Sequence, residues 1–162
     1  MAITSGDTLP GGTLYRMSDQ GPEAVEMDAL TKGRKVVIFG LPAAFSGTCT
    51  SAHLPSFIRT RDGFAGKGVD EVICVSVNDA FTMGAWDKDT GASAGGITML
   101  GDASGEFTKA IGLDFDVPAI GFFGRSQRYA MYVDDGVVKQ INVEDQAGVC
   151  ELSAGETLLE QI

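Results

Sequence analysis

The chain has 162 residues, of which 44% are hydrophobic and 21% charged, a balance that predicts one folded domain over residues 1–162 rather than extended disorder. Acidic residues outnumber basic ones 22 to 12, and the resulting net charge of -10 disfavours a nucleic acid as partner. No apolar run approaches the roughly 20 residues needed to cross a bilayer, the segment Met1 to Asp7 has no leader-like pattern, and three scattered cysteines do not make a disulfide scaffold, so the expectation is a cytoplasmic protein with no membrane partner.

Residues 1–33 read as an irregular lead-in containing a hairpin, Thr13–Met17 against Ala24–Met27. The first strong buried strand covers residues 35–39, and a helix follows Cys49 and stops near Gly63 or Gly66. A second core strand at Glu71–Val77 lies beyond that crossover helix and is therefore expected to be parallel to the first. Asn78 or Asp79 caps a further helix that ends in the glycine-rich residues 91–96; Ile97–Leu100 returns as a strand, and Ser104 caps a short helix. Ala119–Phe123 is apolar, Arg128–Val133 alternates into the turn Asp134-Asp135-Gly136, and Val137–Val143 completes an antiparallel hairpin. Ser153-Ala154-Gly155-Glu156 matches a capping box before the last helix. The order is βαβαβα, a hairpin and a helix: an α/β fold with a thioredoxin-like mixed sheet flanked by helices and an N-terminal hairpin extension.

The chemistry concentrates in Gly40-Leu41-Pro42-Ala43-Ala44-Phe45-Ser46-Gly47-Thr48-Cys49, where the first core strand ends and a helix begins. Ligands of open α/β sheets bind beyond the carboxyl ends of the strands. A thiol at that place meets unpaired backbone N–H groups and the positive end of a helix dipole, the surroundings of a nucleophile. A helix terminus supplies only about 0.3–1 kcal/mol, up to about 2, which is too little to hold an ordinary thiol as thiolate at neutral pH. A cation must add to it, and Arg125 and Arg128 both flank the strand that follows the apolar run. Cys-x-x-Cys, phosphate-loop, dinucleotide and Gly-x-Ser-x-Gly motifs are missing. His53, the one histidine, lies four residues after Cys49, which leaves a Cys–His hydrolase as an alternative; a zinc site has no compact spacing in its favour.

At these residues the chain resembles the peroxiredoxins, type II or peroxiredoxin-5 class. Their signature Pro-x-x-x-Thr/Ser-x-x-Cys is present as Pro42 to Cys49, followed by His53-Leu54-Pro55, with further likeness at Val69–Asp79, Gly105–Ala110, Arg125–Tyr129 and Asp134–Lys139. The resemblance implies a thiol peroxidase that reduces hydrogen peroxide and alkyl hydroperoxides through a Cys49 sulfenic acid, without haem or metal cofactor. In that reading Arg128 stabilises thiolate and developing oxyanion, Ser46 supplies a hydroxyl, and Pro42 shields the sulfur. Leu41, Phe122 and Phe123 form an apolar rim to the substrate pocket. Ser46 stands where the class commonly has Thr, Gly47 replaces a common Pro and Ala43 a common Gly, so a looser arrangement with the same chemistry is expected.

The resemblance leaves the resolving step open. Members of the family use a cysteine at the position of Cys74 or one near the end of the chain, where Cys150 sits; Cys150, in a loop, is the preferred resolver. One-cysteine turnover by glutathione, glutaredoxin or thioredoxin is the remaining route. A homodimer is implied by the same resemblance. A peroxide-sensing regulatory or chaperone module is the second function compatible with this thiol.

Overall fold

Strand β3 (Lys35–Leu41) is apolar along nearly its whole length because both of its faces are covered in the computed structural model, which describes residues 1–162. Val37, Phe39 and Leu41 enter one core layer, while Val36 and Ile38 enter the other, as the two-residue period of a strand requires. The thioredoxin-like sheet also contains β1 (Thr13–Ser18), β2 (Gly21–Glu26), β4 (Glu71–Ser76), β5 (Ile97–Gly101), β8 (Tyr129–Asp134) and β9 (Val137–Val143). Its strand order is β2-β1-β5-β4-β3-β8-β9. Strands β3, β4 and β5 run parallel through helical crossovers, and β8 returns antiparallel on the other side of β3.

One layer is packed by α2 (Leu54–Gly66), α3 (Ala80–Thr90) and α5 (Gly155–Gln161), through Phe57, Phe64, Trp86 and Leu158. The opposite layer takes Met27 from α1 (Met27–Thr31) and Phe107 from α4 (Glu106–Ala110), with Ile3, Leu9 and Leu14. The expected hairpin exists, but it joins the sheet edge through the Tyr15–Gly101 pairing, and Met27 already belongs to α1. Asp135 and Gly136 both have positive φ, the twist-matched turn that a two-residue hairpin connection demands.

Two local expectations are corrected, and one apolar run finds its place. Ser153 makes no capping box: its hydroxyl donates to Glu144, and the Gly155 N–H at the start of α5 is taken up by the Ser56 hydroxyl of α2. Ser104 accepts only a 3.3 Å contact from Glu106 N, whereas the buried Asp102 carboxylate receives the Phe107 and Thr108 N–H groups and does most of the capping of α4. The apolar run Ala119–Phe123 lies in a separate two-stranded ribbon, β6 (Asp114–Val117) with β7 (Phe122–Ser126), and leaves Ile120 and Phe123 exposed.

Gly40 pairs with Tyr129, whose ring occupies the place a side chain at residue 40 would need. Gly40→Ala should therefore lower stability by about 1–3 kcal/mol or more through overpacking, read as a lower urea midpoint with unchanged m-value; an unchanged midpoint would show that the ring moves aside freely.

Candidate functional site

Register brings Arg128 to Cys49. Gly40 pairs with Tyr129 in the β3–β8 ladder, so Arg128 stands one residue beyond, at the level of Leu41, where β3 ends and the Pro42–Thr48 turn departs. Ala130 packs in the same core layer as Cys49 and Tyr129 in the opposite one, so alternation directs Arg128 toward the α2 side. The guanidinium is 2% exposed. Its Nη2 donates to Cys49 Sγ at 3.3 Å and to Ala147 O at 2.8 Å, its Nε also donates to Ala147 O at 3.1 Å, and its Nη1 meets His53 Nδ1 at 3.1 Å. No carboxylate pairs with it.

Cys49 is fully buried and opens a π-helical turn, Cys49–His53, that runs on into α2. Pro55 removes the N–H that an α-helix would direct at Ser51 O, and the widened turn lies immediately before it. The sulfur receives Arg128 and no backbone N–H, which corrects the expectation of unpaired main-chain donors around it. Trp86 Nε1 donates to Thr50 Oγ1 at 3.1 Å and fixes this turn against α3. The turn before it is fixed from β4: Ser76 Oγ donates to Asn78 Oδ1, which accepts Ala44 N–H at 3.1 Å.

Pro42 is buried directly after β3, and Phe45 carries a positive φ of 66°. The Ser46 hydroxyl donates to Ala43 O at 2.9 Å and not to the sulfur; that bond holds the rotamer that a β-branch was expected to hold. Leu41 shares the core layer of Cys49. Of the other two rim residues, Phe122 packs on Phe115 and under the Arg125 guanidinium, and Phe123 is exposed. Arg125 donates to Val77 O at 2.7 Å, so of the two arginines only Arg128 serves the sulfur.

His53 is not a general base. Arginine can only donate, so Nδ1 accepts from Arg128; the Ser153 carbonyl can only accept, so Nε2 carries the proton and donates to it at 3.1 Å. Burial, then the Arg128 charge, lower its pKa to about 3 against the weaker pull of Ser153 O. With both ring nitrogens committed, the Cys–His hydrolase alternative has no acceptor for the thiol proton. No group of three or more His, Cys, Asp or Glu side chains converges as a metal site.

All three cysteines are free. Cys74, opposite Phe39 in central β4, is fully buried; burial, with the nearby Cys49, pushes its thiol well up. Cys150 is half-buried in the segment between β9 and α5, and burial raises its pKa, with the Ser153 hydroxyl and Arg128 opposing. That segment is clasped by Glu144, whose carboxylate accepts from Glu151 N, Ser153 N and Ser153 Oγ. Burial alone would raise the Glu144 carboxyl, but the donors from Ser153, Glu151 and Leu152 hold it below its ordinary value. Thr48 Oγ1 donates to Gly148 O at 3.0 Å, so the Cys150 segment rests on both Thr48 and Arg128. Sequence reasoning missed Asn78, Trp86, Glu144 and Ser153 as supports of the site.

The Redoxin family matches residues 4–159. Peroxiredoxin-2F, mitochondrial, from Arabidopsis thaliana is 46% identical over 166 residues, covering 99% of this chain and 81% of that protein. Peroxiredoxin-2E-2, chloroplastic, from Oryza sativa subsp. japonica is 42% identical over 160 residues, covering 96% and 71%. The crystal structure of reduced Prx3 in complex with hydrogen peroxide from Vibrio vulnificus superposes with a TM-score of 0.91 at 44% identity, covering 98% of each chain.

A neutral buried imidazole makes stability depend on pH. The unfolded histidine binds a proton near pH 6.5 and the folded one only near 3, so the contribution is whole above about 6.5 and is lost as pH falls toward 3. Between pH 6.5 and 5 the unfolding free energy should fall by up to about 1.4 kcal/mol per pH unit more in the wild type than in His53→Gln. Urea titrations giving parallel slopes for the two proteins would refute this.

Proposed function

The chain belongs to the Redoxin family and within it to the peroxiredoxins, and from that premise we propose that it is a thiol-dependent peroxidase whose reacting atom is Cys49 Sγ. The observation that carries the reading is the buried Arg128 guanidinium on that sulfur with no carboxylate partner. A cation taken out of water needs a compensating anion, and the one group touching it that can become an anion is the Cys49 thiol. The Vibrio vulnificus relative, solved with hydrogen peroxide and in reduced and oxidised forms, supports the same substrate class.

The chemistry follows from the donors. The thiolate attacks the terminal oxygen of ROOH; an S–O bond forms, the O–O bond breaks, and RO⁻ takes a proton to leave as ROH, with water as the product from hydrogen peroxide. Cysteine is thereby oxidised to sulfenic acid. Arg128 Nη2 stands on the sulfur and is placed to donate to the oxyanion as it develops. Ser46 has its proton committed to Ala43 O, so its oxygen accepts the peroxide O–H rather than donating to sulfur. Pro42 closes the floor of the turn. Because Cys49 is fully buried, peroxide reaches it only when the Pro42–Ser46 turn or the Cys150 segment moves.

Cys150 is the resolver in this reading. It lies on the segment that already touches Thr48 and Arg128 at the site, whereas Cys74 is locked into the middle of the sheet. Its thiolate displaces hydroxide from the sulfenic sulfur, giving a Cys49–Cys150 disulfide and water. Glutathione, glutaredoxin or thioredoxin then returns both thiols at the cost of two electrons. A homodimer is supported by the exposed apolar side chains Phe45, Phe81, Ile120 and Phe123.

Stopped-flow mixing with hydrogen peroxide and an alkyl hydroperoxide tests the enzyme. Cys49→Ser should consume neither above background, and Arg128→Gln should react about 100-fold slower or worse; retention of the wild-type rate by either variant would end the proposal. Peptide mass spectrometry after one equivalent of peroxide should find Cys49 joined to Cys150. A Cys49–Cys74 bridge, or a persistent sulfenic acid, would instead assign resolution to Cys74 or to the external thiol.

A further inference from the structure

We propose that His53 is a positioning residue for the peroxidase reaction: its neutral imidazole holds the Arg128 guanidinium on the Cys49 sulfur. The inference rests on the peroxidase reading above.

Three groups orient Arg128, and they differ in what they are attached to. Nε and Nη2 are tied to Ala147 O, which is three residues from Cys150 on the segment that must travel for a Cys49–Cys150 disulfide to form. Bridged Cα atoms come within about 7 Å of one another, so the Ala147 contact cannot be counted on throughout turnover. The sulfur itself changes chemically in every cycle. His53 Nδ1 is the remaining partner, at 3.1 Å from Nη1, and it sits on the same helical run as Cys49, one turn on.

The imidazole is well fixed for this task. It is fully buried, edge-on to Phe39 with ring centroids 5.1 Å apart and to Phe57 at 5.6 Å. Nε2–H donates to Ser153 O, Ser153 N and Oγ donate to the Glu144 carboxylate, and Glu144 N donates to the Arg128 carbonyl at 2.9 Å. The hydrogen bonds thus close a ring from the Arg128 side chain back to its own backbone. The Asp145–Leu152 segment loops out of this ring, so breaking its contacts to Arg128, Thr48 and Glu144 leaves the ring's own bonds in place. Only a neutral ring with its proton on Nε2 fits, because a protonated Nδ1 would face the guanidinium with a second donor.

His53→Phe keeps the aromatic packing and deletes the acceptor, whereas His53→Gln restores an acceptor and a donor. Two rates are read: Cys49 alkylation by iodoacetamide, followed by peptide mass spectrometry, and reaction with hydrogen peroxide. Both should fall about 10- to 100-fold in His53→Phe and recover to within about fivefold in His53→Gln. Wild-type rates in a folded His53→Phe would overturn the proposal. Should the wild type consume no more peroxide than Cys49→Ser, the peroxidase reading fails, yet the alkylation series still decides the role of His53. Long-range ¹⁵N NMR of the wild-type ring keeps the test independent of how variants fold. An Nε2–H tautomer throughout pH 5 to 8 is expected, and an Nδ1–H tautomer or imidazolium in that range would overturn the assignment.

Discussion

A guanidinium buried without a carboxylate is the constraint on which this molecule depends. Arg128 is 2% exposed and is surrounded by a carbonyl, an imidazole and a sulfur. Dipoles alone compensate a buried charge poorly. The sulfur is the one neighbour able to carry a balancing charge, and in the proposed peroxidase it is the reacting atom. A carboxylate paired with Arg128 would satisfy the cation without any contribution from the sulfur. The missing salt bridge is therefore part of the chemistry, in keeping with the low effective dielectric that makes buried donors strong.

Topology delivers that cation. Cys49 comes off the end of β3, as ligand-facing residues of open α/β sheets do. The strand on one side of β3 is parallel and begins at the far end of the sheet; the strand on the other side is antiparallel and begins beside Gly40, with Arg128 just before it at the level of Leu41. Only an antiparallel neighbour places its first residue at the site, and its alternation decides that Arg128 rather than Tyr129 turns toward the helix layer. Tyr129 takes the other side, over Gly40, where burial raises its phenol pKa and leaves its hydroxyl without a partner.

Most of this frame was legible in the sequence because apolar runs and glycine turns are local signals. The strands from 35, 71, 97, 129 and 137, the helix from Asp79 and the position of Cys49 all follow from them. Composition gave no choice between Arg125 and Arg128. The choice rests on ladder register, with Arg125 drawn to Val77 O on the ribbon strand β7. The supposed capping box at Ser153 failed because a long-range acceptor, Glu144, outcompetes a local one, and no window of neighbouring residues contains that competition. The spacing of His53 to Cys49 leaves a general base open as an alternative, but spacing reports which groups can meet and not which lone pairs remain free. Pro118 and Gly121 break the apolar run at 119–123 into a short turn and a ribbon strand, which a count of apolar residues alone does not show.

The segment with Cys150 shows how one contact serves opposed demands. While the protein is reduced, Ala147 and Gly148 carbonyls rest on Arg128 and Thr48, covering the sulfur and orienting the cation. In the proposed cycle the Cys150 thiol must leave this rest to reach Cys49, and leaving withdraws two hydrogen bonds from the guanidinium. The cover is thus stable before oxidation and must give way after it. Each of these bonds is worth about 0.5–1.5 kcal/mol net, up to about 3 with a charged donor, so the segment can detach without unfolding the sheet beneath. The bonds from Ser153 to Glu144 hold the two ends of residues 145–152 together, which in the proposed cycle shortens the search of Cys150 for the oxidised sulfur. A tighter cover would protect the thiol and delay the disulfide. A looser one would speed closure and leave Arg128 dependent on His53 alone.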